Sequence, residues 1–315
     1  MKSYRDIAGD GGSAVLEQVG ERHRAMTRAL ASVRHVVAIG SGKGGVGKST
    51  VTLALGRALV AEGWRVTVLD ADLNGPCQAQ MAGLVGVPWV PGPDGLEAPR
   101  CADGLGVLSL GSLLPAEESL RFATVSRGEE QVWRATRELT LLGDVLGGTS
   151  WGELDALLLD LPPGAERTLQ LAGLLGPRAA FVLVTTPARV ARRVVARSLD
   201  ALRRGGSRVL GYVENMAGYA CAACGTVGPL LPEDGEPLAL PLLGRVPFDP
   251  ALAALCDRGW PAGEGADLPA VQPGSGVGLL VTEFRGEVDP GWYEKVLTDS
   301  GNTLEPVSVA GHDGY

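Results

Sequence analysis

Lysine is nearly absent from this sequence. Of 28 basic side chains only four are lysine: Lys2, Lys43, Lys48 and Lys295. Where arginine is the default cation, a retained lysine marks a place that needs a compact ammonium. Two of the four stand five residues apart in one glycine-rich stretch. No run of 18 or more apolar residues occurs, so no helical bilayer span is expected. The opening residues, MKSYRDIAGDGGS, lack the apolar core of a secretory signal, which points to the cytoplasm. Acidic residues outnumber basic ones 36 to 28, which argues against a general nucleic-acid coat. Histidine is limited to His23, His35 and His312, scattered singly and without a shared chemistry. Five cysteines, an odd number without an export signal, suggest thiols or metal ligands rather than a disulfide framework. With 45% apolar residues the chain is not disordered as a whole.

From about residue 34 to 260, short apolar runs alternate with longer amphipathic ones. The runs His35–Gly40, Arg65–Asp70, Gly106–Leu110, Ala156–Leu161, Ala180–Thr185, Val209–Val213 and Leu242–Val246 read as strands covered on both faces. Helical patterns lie at Lys48–Glu62, Glu129–Leu146, Thr168–Leu175, Ala188–Arg204 and Pro250–Arg258. Such alternation predicts an α/β domain with a doubly wound, mainly parallel sheet and helices on both faces. Residues 1–33 form a helical extension, amphipathic over Ser13–Val33, and residues 261–315 a loosely structured Gly/Pro-rich tail with a weak GLLVTEF strand.

Residues Gly42, Lys43, Gly44, Gly45, Val46, Gly47, Lys48, Ser49 and Thr50 read GKGGVGKST and fit the phosphate-loop pattern between a strand and a helix. Glycines let backbone N–H groups turn onto phosphate oxygens, and the helix N-terminus adds partial positive charge. Lys48 suits the β/γ-phosphates and Ser49 a magnesium ion. The additional Lys43 resembles the signature of the deviant Walker A ATPases, the class of MinD, ParA and the nitrogenase iron protein. That resemblance implies a lysine reaching across a dimer to the partner's nucleotide. Asp70 and Asp72 end one strand and Asp160 another, where open α/β sheets bind ligands.

Five further stretches narrow the resemblance. DADLNGPCQAQMAG, WGELDALLLDLPPG, VTTPARVA, GYVENMAGYACAACG and LLGRVPFDPALAALCDRG follow in order between Asp70 and Gly259. Together they resemble the Mrp/ApbC/Nbp35 family of iron–sulfur cluster carriers, closest to its bacterial and archaeal branch since no cysteine precedes Cys77. The resemblance implies an ATP-hydrolysing homodimer that receives a [4Fe–4S] cluster from an assembly scaffold and passes it to apo-proteins, without nucleic acid or membrane as partner. It also implies Asp160 and Asp70 near Mg²⁺, Asp72 positioning the attacking water, and Asn215, Pro247 and Asp249 on the adenine side. A MinD/ParA-like positioning switch and a zinc-clamped, non-catalytic dimer are the alternatives. The acidic stretch after Trp260 counts against the basic terminal helix that a membrane-bound switch expects.

Cys221 and Cys224 form a C-x-x-C pair, half of a four-thiolate set, which symmetry in a dimer would complete. On ligand count alone, Zn²⁺ fits as well as a cluster. Cys77, Cys101 and Cys256 lack partners at ligand spacing and read as buried thiols. Arg189, Arg193, Arg197 and Arg204 line one helix side and read as a solvated face. Finally, PPGAER departs from the family's P-P-G-T-G-D at Ala165, Glu166 and Arg167. Restoring Thr, Gly and Asp there is expected to raise turnover.

Overall fold

A computed structural model describes residues 15–265 apart from 93, 113–129, 222 and 231–237, together with residue 268; for 15–16 and 130–136 it describes the backbone alone. Most of the proposed tail, with its GLLVTEF run and His312, therefore lies outside the described residues. The elements in chain order are α1 (Val15–Ala29), β1 (Val33–Ser41), α2 (Lys48–Ala61), β2 (Val66–Asp70), α3 (Gln78–Met81), β3 (Val90–Gly92), β4 (Gly95–Glu97), β5 (Gly106–Leu108) and α4 (Glu130–Gly148). They continue with β6 (Leu154–Asp160), α5 (Ala165–Leu175), β7 (Ala179–Thr185), α6 (Arg189–Arg204), β8 (Arg208–Ala220), β9 (Val227–Gly228), β10 (Leu242–Phe248) and α7 (Pro250–Arg258).

The main sheet has the order β10-β8-β7-β1-β6-β2-β5, parallel throughout, and β9 pairs antiparallel with the end of β8. Side chains alternate between the two faces of each strand. Val37 and Ile39 of β1 join one apolar layer while Val36 and Ala38 join the other, and Leu158 parts in the same way from Leu157 and Leu159. Helices α2 and α7 cover the first layer through Val51, Leu55, Leu59, Leu252 and Leu255. On the second lie α1, α4, α5 and α6, through Met26, Leu142, Leu146, Leu171 and Leu199. With both faces dry, each fully buried leucine contributes about 1.5–3 kcal/mol, and no polar alternation marks the strands.

Several boundaries differ from the sequence reading. Helix α5 starts at Ala165 rather than Thr168, because Gly164 turns the chain at φ 111° and lets the helix begin directly behind it. Strand β8 runs seven residues beyond Val213, and the unexpected β3–β4 hairpin forms within the proline-rich 90–97 stretch. Helix α1 packs on α4, where the Arg22 guanidinium meets Asp144 at 2.5 Å and Met26 is buried. Val19, an apolar residue of the same helix, is exposed instead. Among the described residues no helix is long and apolar enough to cross a membrane.

His35 on β1 stacks on Trp64 with ring centroids 5.9 Å apart. Burial, then the Arg34, Arg178 and Arg208 guanidinium groups, hold its imidazole below the ordinary 6.5. A depressed histidine favours the folded state while neutral and loses that advantage as pH falls through its folded value. The urea midpoint is therefore expected to drop below pH 6.5, and part of that drop should vanish in His35→Gln. Parallel pH profiles for the two proteins would refute this.

Candidate functional site

The phosphate loop crosses from β1 to α2 and is braced from two sides. Gly47 sits at φ 77°, a conformation few side chains adopt, and a Cβ there would collide with the Asn215 amide. A Cβ on Gly42 would meet Val194 on α6 at 2.7 Å. Asn215 Nδ2 donates to the Val46 carbonyl at 2.8 Å, and the Ser41 hydroxyl donates to the Lys43 carbonyl at 3.0 Å. The N-cap of α2 is Gly47, which makes no side-chain cap bond to the N–H groups of the first turn. That is the donor arrangement a phosphate needs. Lys43, Gly44 and Gly45 are exposed, Lys48 is buried, and Ser49 and Thr50 are half-buried.

Beneath the loop lie two carboxylates that are register partners on adjacent strands, Asp70 on β2 and Asp160 on β6. Both are fully buried. The Lys48 ammonium pairs with Asp160, and the Gln78 amide donates to Asp160 Oδ2 at 2.8 Å and to the Ser49 carbonyl at 3.0 Å. Thr52 Oγ1 approaches Asp160 Oδ1 at 3.4 Å. Asp70 accepts from the Cys77 and Gln78 N–H groups at 2.9 and 3.0 Å, from the Ser109 hydroxyl at 2.9 Å, and from the Asp72 N–H at 3.2 Å. Burial first, and then the Asp160 charge, push its carboxyl up to about 7. Asp70 thus folds the turn that carries Asp72, rather than standing open toward a cation as its strand-end position suggests. Asp72 is half-buried and accepts from the Asn74 and Gly75 N–H groups, each at 3.3 Å.

Gln78, Thr52, Ser109, Asn74 and Glu138 join the site without having been singled out by sequence. The available signal for Gln78 is a polar residue in a turn about to become a buried helix; no local pattern marks Glu138. Gln78 Oε1 is buried and has no hydrogen-bond partner. This orphaned oxygen belongs to the amide whose nitrogen holds Asp160 and the Ser49 carbonyl, and such an oxygen-rich surrounding suits a hydrated magnesium ion.

Arg167, the last residue of the PPGAER departure, pairs with Glu138 of α4 at 2.9 Å, and Asn74 Nδ2 donates to Glu138 Oε1 at 3.0 Å. The expectation that Thr, Gly and Asp at 165–167 raise turnover does not reckon with this pair, which the change at 167 would remove. An acid there would face a buried Glu138.

Asn215 spends one of its two amide N–H donors on the loop, which leaves the other N–H and Oδ1 for an adenine edge. Pro247 and Asp249 follow Val246, the register partner of Asn215, at the same sheet edge. Asp249 caps α7, its Oδ1 accepting from the Ala251 N–H at 2.9 Å, while its Oδ2 is buried without a partner. Arg189, Arg193, Arg197 and Arg204 lie on α6 and all four are exposed, on the face turned from the sheet.

Strand β8 leads on to the cysteines. Tyr219 and Ala220 pair with Gly228 and Val227 of β9. The Cys221 N–H donates to the Thr226 carbonyl at 3.0 Å, and the Gly225 N–H to the Cys221 carbonyl at 2.8 Å. Cys221 is half-buried and Cys224 exposed, its sulfur 3.3 Å from the Thr226 hydroxyl. Hydrogen bonding to the Thr226 hydroxyl and backbone, then to Cys221, holds the Cys224 thiol below its ordinary value. Of the remaining cysteines only Cys256 is buried; Cys77 and Cys101 are half-buried. Burial pushes the Cys77 thiol up to about 12 and Cys256 up to about 11, which makes them poor thiolates. Among the described residues no three His, Cys, Asp or Glu side chains gather as a metal site.

Residues 32–271 match the model of a family described as ParA, the NUBPL iron-transfer P-loop NTPases. The chain is 36% identical over 241 residues to the cytosolic Fe-S cluster assembly factor CFD1 of Eremothecium gossypii, covering 72% of this chain and 82% of that protein. It is 33% identical to the iron-sulfur cluster carrier protein of Saccharolobus solfataricus, covering 74% and 77%. These two identities do not single out a prokaryotic branch. A nucleotide-binding protein of Archaeoglobus fulgidus, solved in complex with ADP, superposes with a TM-score of 0.63 at 30% identity, over 78% of this chain and 94% of that one. The MinD cell division ATPase of Pyrococcus furiosus shares the fold, with a TM-score of 0.52 at 21% identity over 80% and 98%.

Proposed function

The chain belongs to the family of NUBPL iron-transfer P-loop NTPases, and on that premise we propose that it hydrolyses ATP with Mg²⁺ while carrying a [4Fe–4S] cluster between two of its own copies. The cluster is cargo: it arrives from an assembly scaffold in the cytoplasm and leaves to apo-proteins. One observation carries this reading. Cys221 and Cys224 stand at an exposed hairpin tip with two thiols and no third ligand nearby among the described residues. A cubane cluster needs four thiolates, and a two-fold axis doubles two into four. An exposed tip also suits a carrier that must release what it holds.

In the nucleotide site, the N–H groups of α2 and Lys48 hold the β/γ-phosphates. Ser49 and Asp160 would hold Mg²⁺, with Gln78 steadying that carboxylate, and the ion would supply charge neutralisation for phosphoryl transfer. Asp72 orients the attacking water, and Lys43, exposed at the loop's outer edge, serves the partner's phosphates. Asn215, Pro247 and Asp249 form the adenine side.

Anaerobic reconstitution followed by native mass spectrometry and metal analysis tests the cargo reading. The expected species is a dimer with one four-iron cluster, about two iron atoms per chain. A monomer holding four irons, or zinc alone at stoichiometry, would overturn it.

A further inference from the structure

The candidate water-positioning residue, Asp72, has its carboxylate held by the N–H groups of Asn74 and Gly75. Asn74 in turn is tied by its side chain to Glu138 at 3.0 Å, and Glu138 to Arg167 at 2.9 Å. The chain of contacts runs from the segment after β2, through α4, to the first turn of α5 behind β6. It therefore spans the two segments that flank Asp70 and Asp160. Glu138 is 8% exposed, which a carboxylate tolerates only with a counter-charge and hydrogen bonds. Arg167 supplies the charge and Asn74 accommodates the second oxygen. A planar guanidinium suits a fixed carboxylate better than an ammonium.

We propose that Glu138 and Arg167 are positioning residues for hydrolysis: Arg167 fixes Glu138, Glu138 fixes Asn74, and Asn74 sets where the Asp72 carboxylate stands. The inference rests on the reading that Asp72 orients water for ATP hydrolysis. It also accounts for the PPGAER departure. Arginine at 167 and glutamate at 138 form one unit, so an aspartate at 167 is compatible with this chain only if residue 138 is not an acid.

The test compares the full-length wild type with Arg167→Asp, Glu138→Gln and the double variant. In Arg167→Asp, kcat for ATP is expected to fall roughly tenfold, the scale set by slight misplacement of a positioned group. KM and ADP affinity should stay within about twofold, because neither residue touches the phosphate loop. Amide hydrogen exchange over residues 72–78 should quicken, with the β1–α2 segment unchanged. In the Glu138→Gln background, the same change at 167 should cost less than about twofold, because the acid–acid clash is gone. Where Arg167→Asp does not fold, Arg167→Gln reports the loss of the charge without the clash, and should show the same kcat and exchange changes in smaller measure. An Arg167 variant with wild-type kcat and exchange would overturn the proposal. So would a penalty for Arg167→Asp that Glu138→Gln leaves undiminished. If the wild type itself does not hydrolyse ATP, the hydrolysis reading fails, and exchange at 72–78 still decides whether this unit holds the loop.

Discussion

Lys48→Ala is expected to abolish measurable binding of ATP and ADP. Lys48 is the buried cation of the phosphate loop, and its ammonium sits on Asp160, a carboxylate with no exposure. Nucleotide phosphates bring several negative charges to a place already holding Asp160 and Asp70. Without Lys48 the chain's own loop opposes them with N–H groups, beside the incoming metal. Removing one partner of a buried charge contact costs about 2–5 kcal/mol, or roughly thirtyfold to several thousandfold in affinity. The substitution also strips Asp160 of its counter-ion, and breaking a buried pair destabilises by about 3–5 kcal/mol. The unliganded variant should accordingly unfold at lower temperature. Titration calorimetry and thermal unfolding measure the two effects, and ADP affinity within fivefold of wild type would sink the assignment. Lys43→Ala provides the contrast. Lys43 is exposed, so ADP binding should persist while turnover by the dimer falls; equal turnover would remove its role across the interface.

Replacing Cys221 or Cys224 by alanine should eliminate stable cluster binding altogether. With two thiolates per chain, one loss leaves a dimer with two of the four ligands that a cubane cluster requires. Among the described residues no His, Asp or Glu joins the pair in a group of three that would offer a replacement ligand. Nucleotide affinity should be unaffected, since the nearest part of the phosphate machinery is Asn215, six residues back along β8. The measurement is iron and sulfide content with visible absorption after reconstitution, set beside ADP titration on the same samples. Retention of four irons by the double-alanine variant would place the cluster elsewhere.

Order along the chain is legible wherever a local pattern carries it. The β1, β6 and β7 runs are plain because both their faces are dry, and GKGGVGKST announces a loop whose geometry repeats its spacing. What escapes depends on contacts between distant residues. MAGYA has no strand period of its own; it extends β8 because β9 and β10 pair with it. Arg167 looks like a loss relative to the family, since Glu138, 29 positions earlier, gives no sign of facing it. Asp70 looks like a cation site because carboxylates at strand ends often are, yet the turn from Asp72 to Gln78 folds back over it. In each case the residue type is visible and its partner is not.

The run from Asn215 to Cys221 has a consequence for which lengths in this chain can change. Asn215 touches the phosphate loop, and six residues on, past a bulge where the four steps from Asn215 to Tyr219 face two steps of β10, comes the first sulfur. The span already contains Met216 at φ 56°, which leaves little room for a second irregularity. One added residue would turn Tyr219 away from the Phe248 ring it stacks on and reverse the facing of everything after it. Surface connections elsewhere can lengthen at small entropic cost. This one is a fixed ruler, and a graft of the cysteine hairpin onto a related scaffold must carry the strand back to Asn215 with it.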